Sequence, residues 1–187
     1  IDFRQKFTAL KLHFGEEGNL AYLRPDYVKV VADLVKEWGG VPFLTDCNTL
    51  YVGSRKNAVD HLNVAMLHGF GPMTTGWQVI IADGLKGTDE GIVPVPCGEY
   101  VKEAKIGRAI VDADIIVSVN HFKGHESAGF GGALKNLGMG CGSRAGKMEQ
   151  HASGKPHVLE KLCTGCRACV RQCAHDAITY GRNGKAA

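Results

Sequence analysis

Short apolar segments alternate with helical segments along the first part of the chain, and this alternation constrains the fold more than any other feature. A helix is predicted to begin at Pro25, because proline suits the first helical position, and a second one after Ser54, a candidate N-cap. The predicted strands occupy residues 9–14, 41–45, 78–82 and 114–119. A hairpin is predicted within residues 92–105 and a short helix at residues 108–113. Strands alternating with helices predict an α/β fold with a mostly parallel sheet and flanking helices.

Polar side chains stand where the predicted strands end. Asp46, Asp83, Asn120 and His121 all follow apolar segments directly. In parallel sheets, ligands bind outside the carboxyl ends of the strands, so these positions are candidates for a binding edge. Ordinary turn chemistry is the alternative, because aspartate and asparagine are common in loops.

A glycine-rich segment from Asn120 to Ser143 is too polar to be core. It does not fit a phosphate loop, because Leu134 precedes Lys135 where that motif needs glycine. His125, Lys135 and the later His151 are candidates to bind an anion, a metal or a cofactor, unless they are solvated loop residues. The candidate catalytic residues are His125 and Lys135, and the candidate cofactor-binding residues are Gly129, Gly131, Gly132 and Lys135.

Four cysteines in the spacing C-x2-C-x2-C-x3-C lie near the end of the sequence, at Cys163, Cys166, Cys169 and Cys173. This spacing is typical of a 4Fe–4S cluster, which needs several thiolates from one short loop. Disulfides between cysteines this close would be strained, and zinc sites usually separate their cysteine pairs further, which leaves zinc as the main alternative. A short helix is predicted from Cys173 to Ile178.

These patterns predict two domains. Residues 1–157 would form an α/β ligand-binding domain, and residues 158–187 the first half of a ferredoxin-type 4Fe–4S module. In two-cluster ferredoxins the fourth cysteine of such a run binds the other cluster. No second run follows within the 187 residues, so a truncated module is expected, with a second cluster if the chain continues.

Composition excludes several functions. The net charge of +3 argues against a nucleic-acid surface, which needs clustered basic residues. No apolar run approaches the roughly 20 residues of a membrane span. Scattered free cysteines beside a cluster motif favour the reducing cytoplasm.

The run from His121 to Gly140, followed by the cysteine motif, resembles the domain of unknown function family 362. The similarity includes residues 45–51 and 82–86 and extends over the whole chain. It implies an α/β domain joined to a two-cluster ferredoxin module, whose second half lies beyond residue 187.

A more distant resemblance is to the lactate racemases that use a nickel-pincer nucleotide. It rests on His125, the glycines that follow, Lys135 and His151, in this order and spacing. By that resemblance Lys135 would hold the nickel cofactor, His151 would bind nickel and His125 would act as an acid or base. The second acid/base histidine of that family has no counterpart at Asp46-Cys47-Asn48, which puts two-base racemisation in doubt.

Three functions follow from these features. The leading hypothesis is an iron–sulfur redox protein that exchanges electrons with a partner protein and with a small molecule in the glycine-rich region. If it is an enzyme, oxidoreductase is the candidate class. The second is a racemase-like enzyme that acts on a small organic acid or binds a nickel-type cofactor. The third is a pure electron carrier, in which His125 and Lys135 have no chemical role.

Overall fold

The computed structural model describes residues 1–126, 128–151, 157–173 and 178–186. The chain divides after His151 into two compact units. The first unit contains a parallel sheet with helices, and the second contains the cysteine run.

The first unit alternates strands and helices through most of its length. Its elements in chain order are β1 (Phe7–Lys11), α1 (Pro25–Glu37), β2 (Val41–Asp46), α2 (Ala58–Leu67), α3 (Pro72–Thr75), β3 (Val79–Ile81), β4 (Glu90–Pro94), β5 (Glu103–Gly107), α4 (Arg108–Val111), β6 (Ile115–Ser118), β7 (Lys123–His125), β8 (Gly129–Gly131), α5 (Ala133–Gly138) and α6 (Arg144–His151).

The main sheet has the strand order β3-β2-β1-β6, and all of its pairings are parallel. Leu10 in β1 lies opposite Leu44 of β2 on one side and Val117 of β6 on the other. Residues 8–11 of this inner strand are all buried, as expected for a parallel strand covered on both faces. The predicted α/β class with a mostly parallel sheet and flanking helices is confirmed.

The strand order reverses between β1 and β6. The chain runs outward from β1 through β2 to β3, then returns to the opposite side of β1 as β6. Neighbouring strands whose connections leave in opposite directions open a crevice at their carboxyl ends, where α/β proteins bind ligands.

Helices α1 and α2 pack on the sheet. Pro25 begins α1, and the buried face of this helix carries Val28, Ala32 and Val35. The side chain of Asn57 caps α2 by accepting a hydrogen bond from the backbone amide of Asp60. The predicted cap at Ser54 is therefore wrong. The core consists of Leu10, Leu12, Phe14, Val28, Ala32, Leu44, Ala65, Phe70 and Ile81.

Three other predicted segments can be compared with the structure. β4 and β5 form the expected antiparallel hairpin. β1 ends at Lys11 rather than Phe14, and the Leu12 carbonyl accepts from Nζ of Lys11 at 2.6 Å. The glycine-rich segment contains the β7–β8 ribbon and the helix α5.

The second unit contains one short helix among its described residues, α7 (Ala168–Gln172), followed by Cys173 in extended conformation. The predicted helix from Cys173 to Ile178 falls on residues 174–177, which lie outside the described residues. No helix in the described ranges is long and apolar enough to cross a membrane.

Candidate functional site

A cavity of about 570 Å³ opens at the carboxyl ends of β1, β2 and β6, and we call it the strand-end cavity. Lys11 and His13 line it from the end of β1, Asp46 from the end of β2, and Asn120 from the end of β6. The cavity therefore lies at the place where the strand order reverses. The glycine-rich segment, as ribbon β7–β8 and helix α5, supplies another wall.

The candidate residues of the glycine-rich region are distributed around this cavity. His125, Lys135 and His151 line it, as do Gly131 and Gly132. The strand-end residue His121 and the ribbon residue Lys123 line it too.

Gly129 and Asp83 are placed differently. Gly129 is not among the cavity-lining residues and begins β8 with a left-handed φ of +77°, which favours glycine. Asp83 is buried and accepts the backbone amide of Asn48 at 2.9 Å, so its role in this structure is to hold a loop.

Lys135 and His125 are in direct contact inside the cavity. Nζ of Lys135 meets Nε2 of His125, and the amide of Ala128 donates to Nδ1 of the same ring at 3.1 Å. Since Nδ1 accepts a hydrogen bond, a neutral ring carries its proton on Nε2, facing Lys135. A lysine side chain in its uncharged amine form can accept a hydrogen bond from that N–H group.

The surroundings of Lys135 also favour the uncharged amine. Burial lowers the pKa of Lys135, and the nearby Lys123 ammonium lowers it further, while Glu126 acts in the opposite direction. Loss of water and a like charge both disfavour an ammonium, so they move lysine toward nucleophilic chemistry.

The lining of the cavity as a whole carries an excess of positive charge. Its basic residues are Lys11, Arg55, Lys123, Lys135 and Lys147, and its acidic residues are Asp46 and Glu126. Such a lining attracts anions and disfavours cations.

A buried charge network forms the cavity floor. Oδ1 of Asp46 lies 2.8 Å from Nζ of Lys11, and Oδ2 lies 3.1 Å from a guanidinium nitrogen of Arg55. Burial alone would raise the pKa of Asp46, but Lys11, His61 and Arg55 outweigh it and hold this pKa well below its usual range. Arg55 also meets Glu16 at 2.8 Å, so the floor is charge-compensated.

Asn136 joins this floor to the glycine-rich wall. Its Oδ1 accepts from Nζ of Lys11 at 2.7 Å, and its Nδ2 donates to the Lys11 carbonyl and to the Ser118 hydroxyl. These bonds fix α5, and with it Lys135, against the ends of β1 and β6.

His13 is a cavity residue that stays uncharged. Burial lowers its pKa to about 4, and Arg55 contributes to the shift. The Gly15 amide faces Nδ1 at 3.1 Å and the Arg55 guanidinium faces Nε2 at 3.2 Å. Both neighbours are donors, so a protonated ring would find no acceptor at either position.

The two buried cysteines of the first unit are poor nucleophiles. Burial raises the pKa of Cys47 and of Cys141, which keeps both thiols protonated. Cys47 donates to the Cys141 carbonyl at 3.4 Å and packs with Ile110 and Ala82.

The backbone of the cysteine run in the second unit turns tightly. Gly165 and Arg167 both have left-handed φ angles, +71° and +62°. The Ala168 amide and the Thr164 hydroxyl lower the pKa of Cys166, which favours the thiolate that binds iron. Partial burial and the neighbouring Cys169 raise the pKa of Tyr180.

The four thiols suit an iron–sulfur cluster by their chemistry and spacing. Cys166 and Cys169 are exposed, and Cys163 and Cys173 are half-buried. In the part of the chain that the structure describes, no three His, Cys, Asp or Glu side chains converge closely enough to hold a metal ion.

Sequence comparison gives a family for this arrangement. The family model for the domain of unknown function DUF362 matches residues 8–180. The chain belongs to the DUF362 family. Neither a curated protein nor a solved structure matches it significantly. The predicted family resemblance is thus confirmed, and the match includes the cavity and the cysteine run.

Sequence reasoning missed three side chains of this DUF362 site. Lys11 and His13 were counted only as parts of a strand, and Arg55 received no role. A lysine or arginine usually marks an exposed position, so burial of Lys11 and Arg55 leaves no sequence signal. For His13 a signal existed, because it follows β1 as His121 follows β6.

Proposed function

We propose that this DUF362 protein binds a small carboxylic acid in the strand-end cavity and carries a 4Fe–4S cluster on its cysteine run. The cluster would exchange electrons with a redox partner protein and with the bound acid, in the reducing cytoplasm where the thiols stay available. The observation that carries the proposal is the positively charged cavity at the strand ends, with Lys135 and His125 in contact inside it.

The charges divide into a compensated floor and an uncompensated wall. Asp46 and Glu16 offset Lys11 and Arg55 on the floor. On the wall formed by the glycine-rich segment, Lys123 and Lys135 line the cavity. Glu126 is the acidic residue that this wall contributes to the lining. An anion bound there would meet the wall lysines, and its carboxylate would gain charge-assisted hydrogen bonds.

The second unit supports the redox part. Cys166 favours the thiolate form, and the left-handed Gly165 and Arg167 shape a short loop around the thiols. Cys163, Cys166, Cys169 and Cys173 would hold the cluster, which supplies one-electron chemistry when bound. Amides near the thiols would tune its potential.

Ligand binding is tested by calorimetry with small carboxylic acids and with their neutral amides. Acids should bind more tightly than the amides, and Lys135→Met should weaken acid binding, because it removes a cation from the wall. Lys29→Met is the control, since Lys29 pairs with Asp33 on the exposed face of α1. Equal binding of acids and amides would contradict the proposed ligand class.

Electron transfer is tested after anaerobic cluster reconstitution. The cluster is reduced, excess reductant is removed, and oxo acids or unsaturated acids are added. Recovery of the oxidised visible band with one acid, and loss of this recovery in Lys135→Met, would support electron exchange. A cluster that no bound acid reoxidises would argue for a pure electron carrier.

A second candidate function is acid–base chemistry on the same small acid, as in the racemase-like alternative. One observation favours it: His13 and His125 line the same cavity. A neutral imidazole can accept a proton from carbon. Solvent deuterium entering a 2-hydroxy acid, with loss in both His13→Gln and His125→Gln, would support this function, and nickel content would test the cofactor.

A further inference from the structure

Lys135 occupies a fixed position with its amine inside the cavity. It lies in the first turn of α5, and the next residue, Asn136, bonds to Lys11 and Ser118. Its Nζ contacts Nε2 of His125 across the wall. An amine held in this way stays in one region of the cavity.

The two buried lysines of this cavity, Lys11 and Lys147, are committed to existing contacts. Nζ of Lys11 meets Asp46, the Leu12 carbonyl and Asn136, which uses the three N–H bonds of an ammonium. Lys147 is buried and donates to the Gly142 carbonyl. Lys135 differs, because its closest described neighbours are an imidazole and the Lys123 ammonium that disfavours its charge.

We infer that Lys135 condenses with the carbonyl group of an oxo acid and holds it as an imine. The inference rests on the proposed function, because it takes the bound carboxylic acid to carry an oxo group. The carboxylate would lie against Lys123 on the neighbouring strand β7, close to the amine. The oxo group beside it would then face Nζ.

The condensation needs only the amine, the carbonyl group and proton transfer. The nitrogen lone pair attacks the carbonyl carbon, and the carbonyl oxygen takes a proton, giving a carbinolamine. The hydroxyl group then takes a proton from solvent and leaves as water when the C=N bond forms, which gives the protonated imine. Nothing is oxidised or reduced, and the amine itself supplies the proton that the carbonyl oxygen takes.

The positive charge of Lys123 contributes to this reaction in two ways. A second cation beside a reactive lysine lowers the pKa of its amine, and it also attracts the acid. Lys123 is exposed and its ribbon is short, so its replacement leaves the sheet untouched.

Reductive trapping tests the inference directly. The protein is incubated with pyruvate or 2-oxoglutarate and sodium cyanoborohydride, and the adduct is located by peptide mapping. We expect a borohydride-dependent adduct on Lys135, none on this peptide in Lys135→Arg, and little with acetone as the neutral probe. An adduct spread over surface lysines, or one that survives Lys135→Arg unchanged, would overturn the inference.

The pH profile of trapping separates a chemical role from a structural one. In Lys123→Gln the repulsion on Lys135 is lost, so its pKa rises and trapping should require higher pH. Lys123→Arg keeps the charge and should keep the profile. A profile that is the same in all three proteins would overturn the role of Lys123.

The two proposals fail in different ways. If oxo acids and other acids bind equally and no adduct forms on Lys135, the ligand class stands and the imine is wrong. If acetone and pyruvate label Lys135 equally and carboxylic acids do not bind, the amine is reactive but the proposed ligand class is wrong. Because mapping reads the labelled residue in the unmodified sequence, the test does not depend on any variant folding.

Discussion

Lys11 and Asp46 form a buried ion pair between adjacent strands, with Nζ and Oδ1 2.8 Å apart and side-chain exposures of 1% and 5%. Lys11 ends β1, and Asp46 ends β2. Arg55 meets the second carboxylate oxygen of Asp46. The carboxylate therefore compensates two buried cations at once. Its loss would remove the carboxylate partner of Lys11 and leave Arg55 with Glu16 alone.

Asp46→Asn should destabilise the protein strongly, by about 3–5 kcal/mol, because breaking a buried pair leaves an uncompensated charge. Urea unfolding followed by tryptophan fluorescence measures the change, since Trp38 and Trp77 both lie in the first unit. As a matched control, Lys29→Met removes the exposed pair with Asp33 and should cost only about 0.3–0.5 kcal/mol. Similar losses for both variants would show that burial adds nothing to the Lys11–Asp46 pair.

His13 should make stability fall in mild acid. Its pKa is about 4 in the folded protein, against an ordinary value of 6.5, so the unfolded chain binds the extra proton first. The stabilising contribution is complete above pH 6.5 and is lost as the pH falls toward 4. His13→Gln should flatten the dependence of unfolding free energy on pH in this window. His157→Gln, at an exposed position of the second unit, should leave it unchanged.

Gly140 and Gly138 offer a matched pair for testing the glycine-rich wall. A Cβ at Gly140 would lie 2.1 Å from the Asn136 carbonyl oxygen and 2.7 Å from Nζ of Lys11, whereas a Cβ at Gly138 meets nothing within 4 Å. Gly140→Ala should therefore cost about 1–3 kcal/mol through overpacking. Gly138→Ala, within α5, should be neutral or stabilising by up to about 1 kcal/mol. Thermal unfolding distinguishes them, and equal effects would mean that the wall accommodates a methyl group at either position.

Cys166→Ser should sharply reduce cluster binding after anaerobic reconstitution with iron and sulfide, because serine does not offer a thiolate. The broad visible absorption and the iron content report binding. Cys97→Ser is the control, since Cys97 is exposed in the first unit and outside the motif. Stoichiometric zinc without iron in the unmodified protein would reject the iron–sulfur assignment.

The fold was largely predictable because its local signals agree with one another. Pro25 begins α1 as predicted, and buried segments form a parallel sheet because they alternate with helices. The boundary of β1 was not predictable, since Lys11 ends the strand through contacts with Asp46 and Asn136, far away in sequence. The cap of α2 was missed for a similar reason: the Ser54 hydroxyl donates to Glu17 instead of capping the helix.

The location of the candidate site was predictable from the sequence, but the side chains that form its floor were not. Glycines after a strand end indicated the wall, and His125 and Lys135 do meet there. The floor depends on which charged side chains are buried, and burial of Arg55 is decided by tertiary partners such as Glu16. The charge of Arg55 alone could not indicate that its side chain is buried.

The position of β6 has a consequence for how the first unit is completed during synthesis. Three strands of the sheet, β3, β2 and β1, come from the first 81 residues, whereas β6 begins at Ile115 and closes onto β1 from the other side. A growing chain can pair those three strands while the fourth is still being made, since domains assemble from the N-terminus as they emerge. Until β6 and α5 arrive, Lys11 lacks its contact with Asn136 and the cavity lacks a wall. A nascent chain would therefore complete the strand-end cavity late.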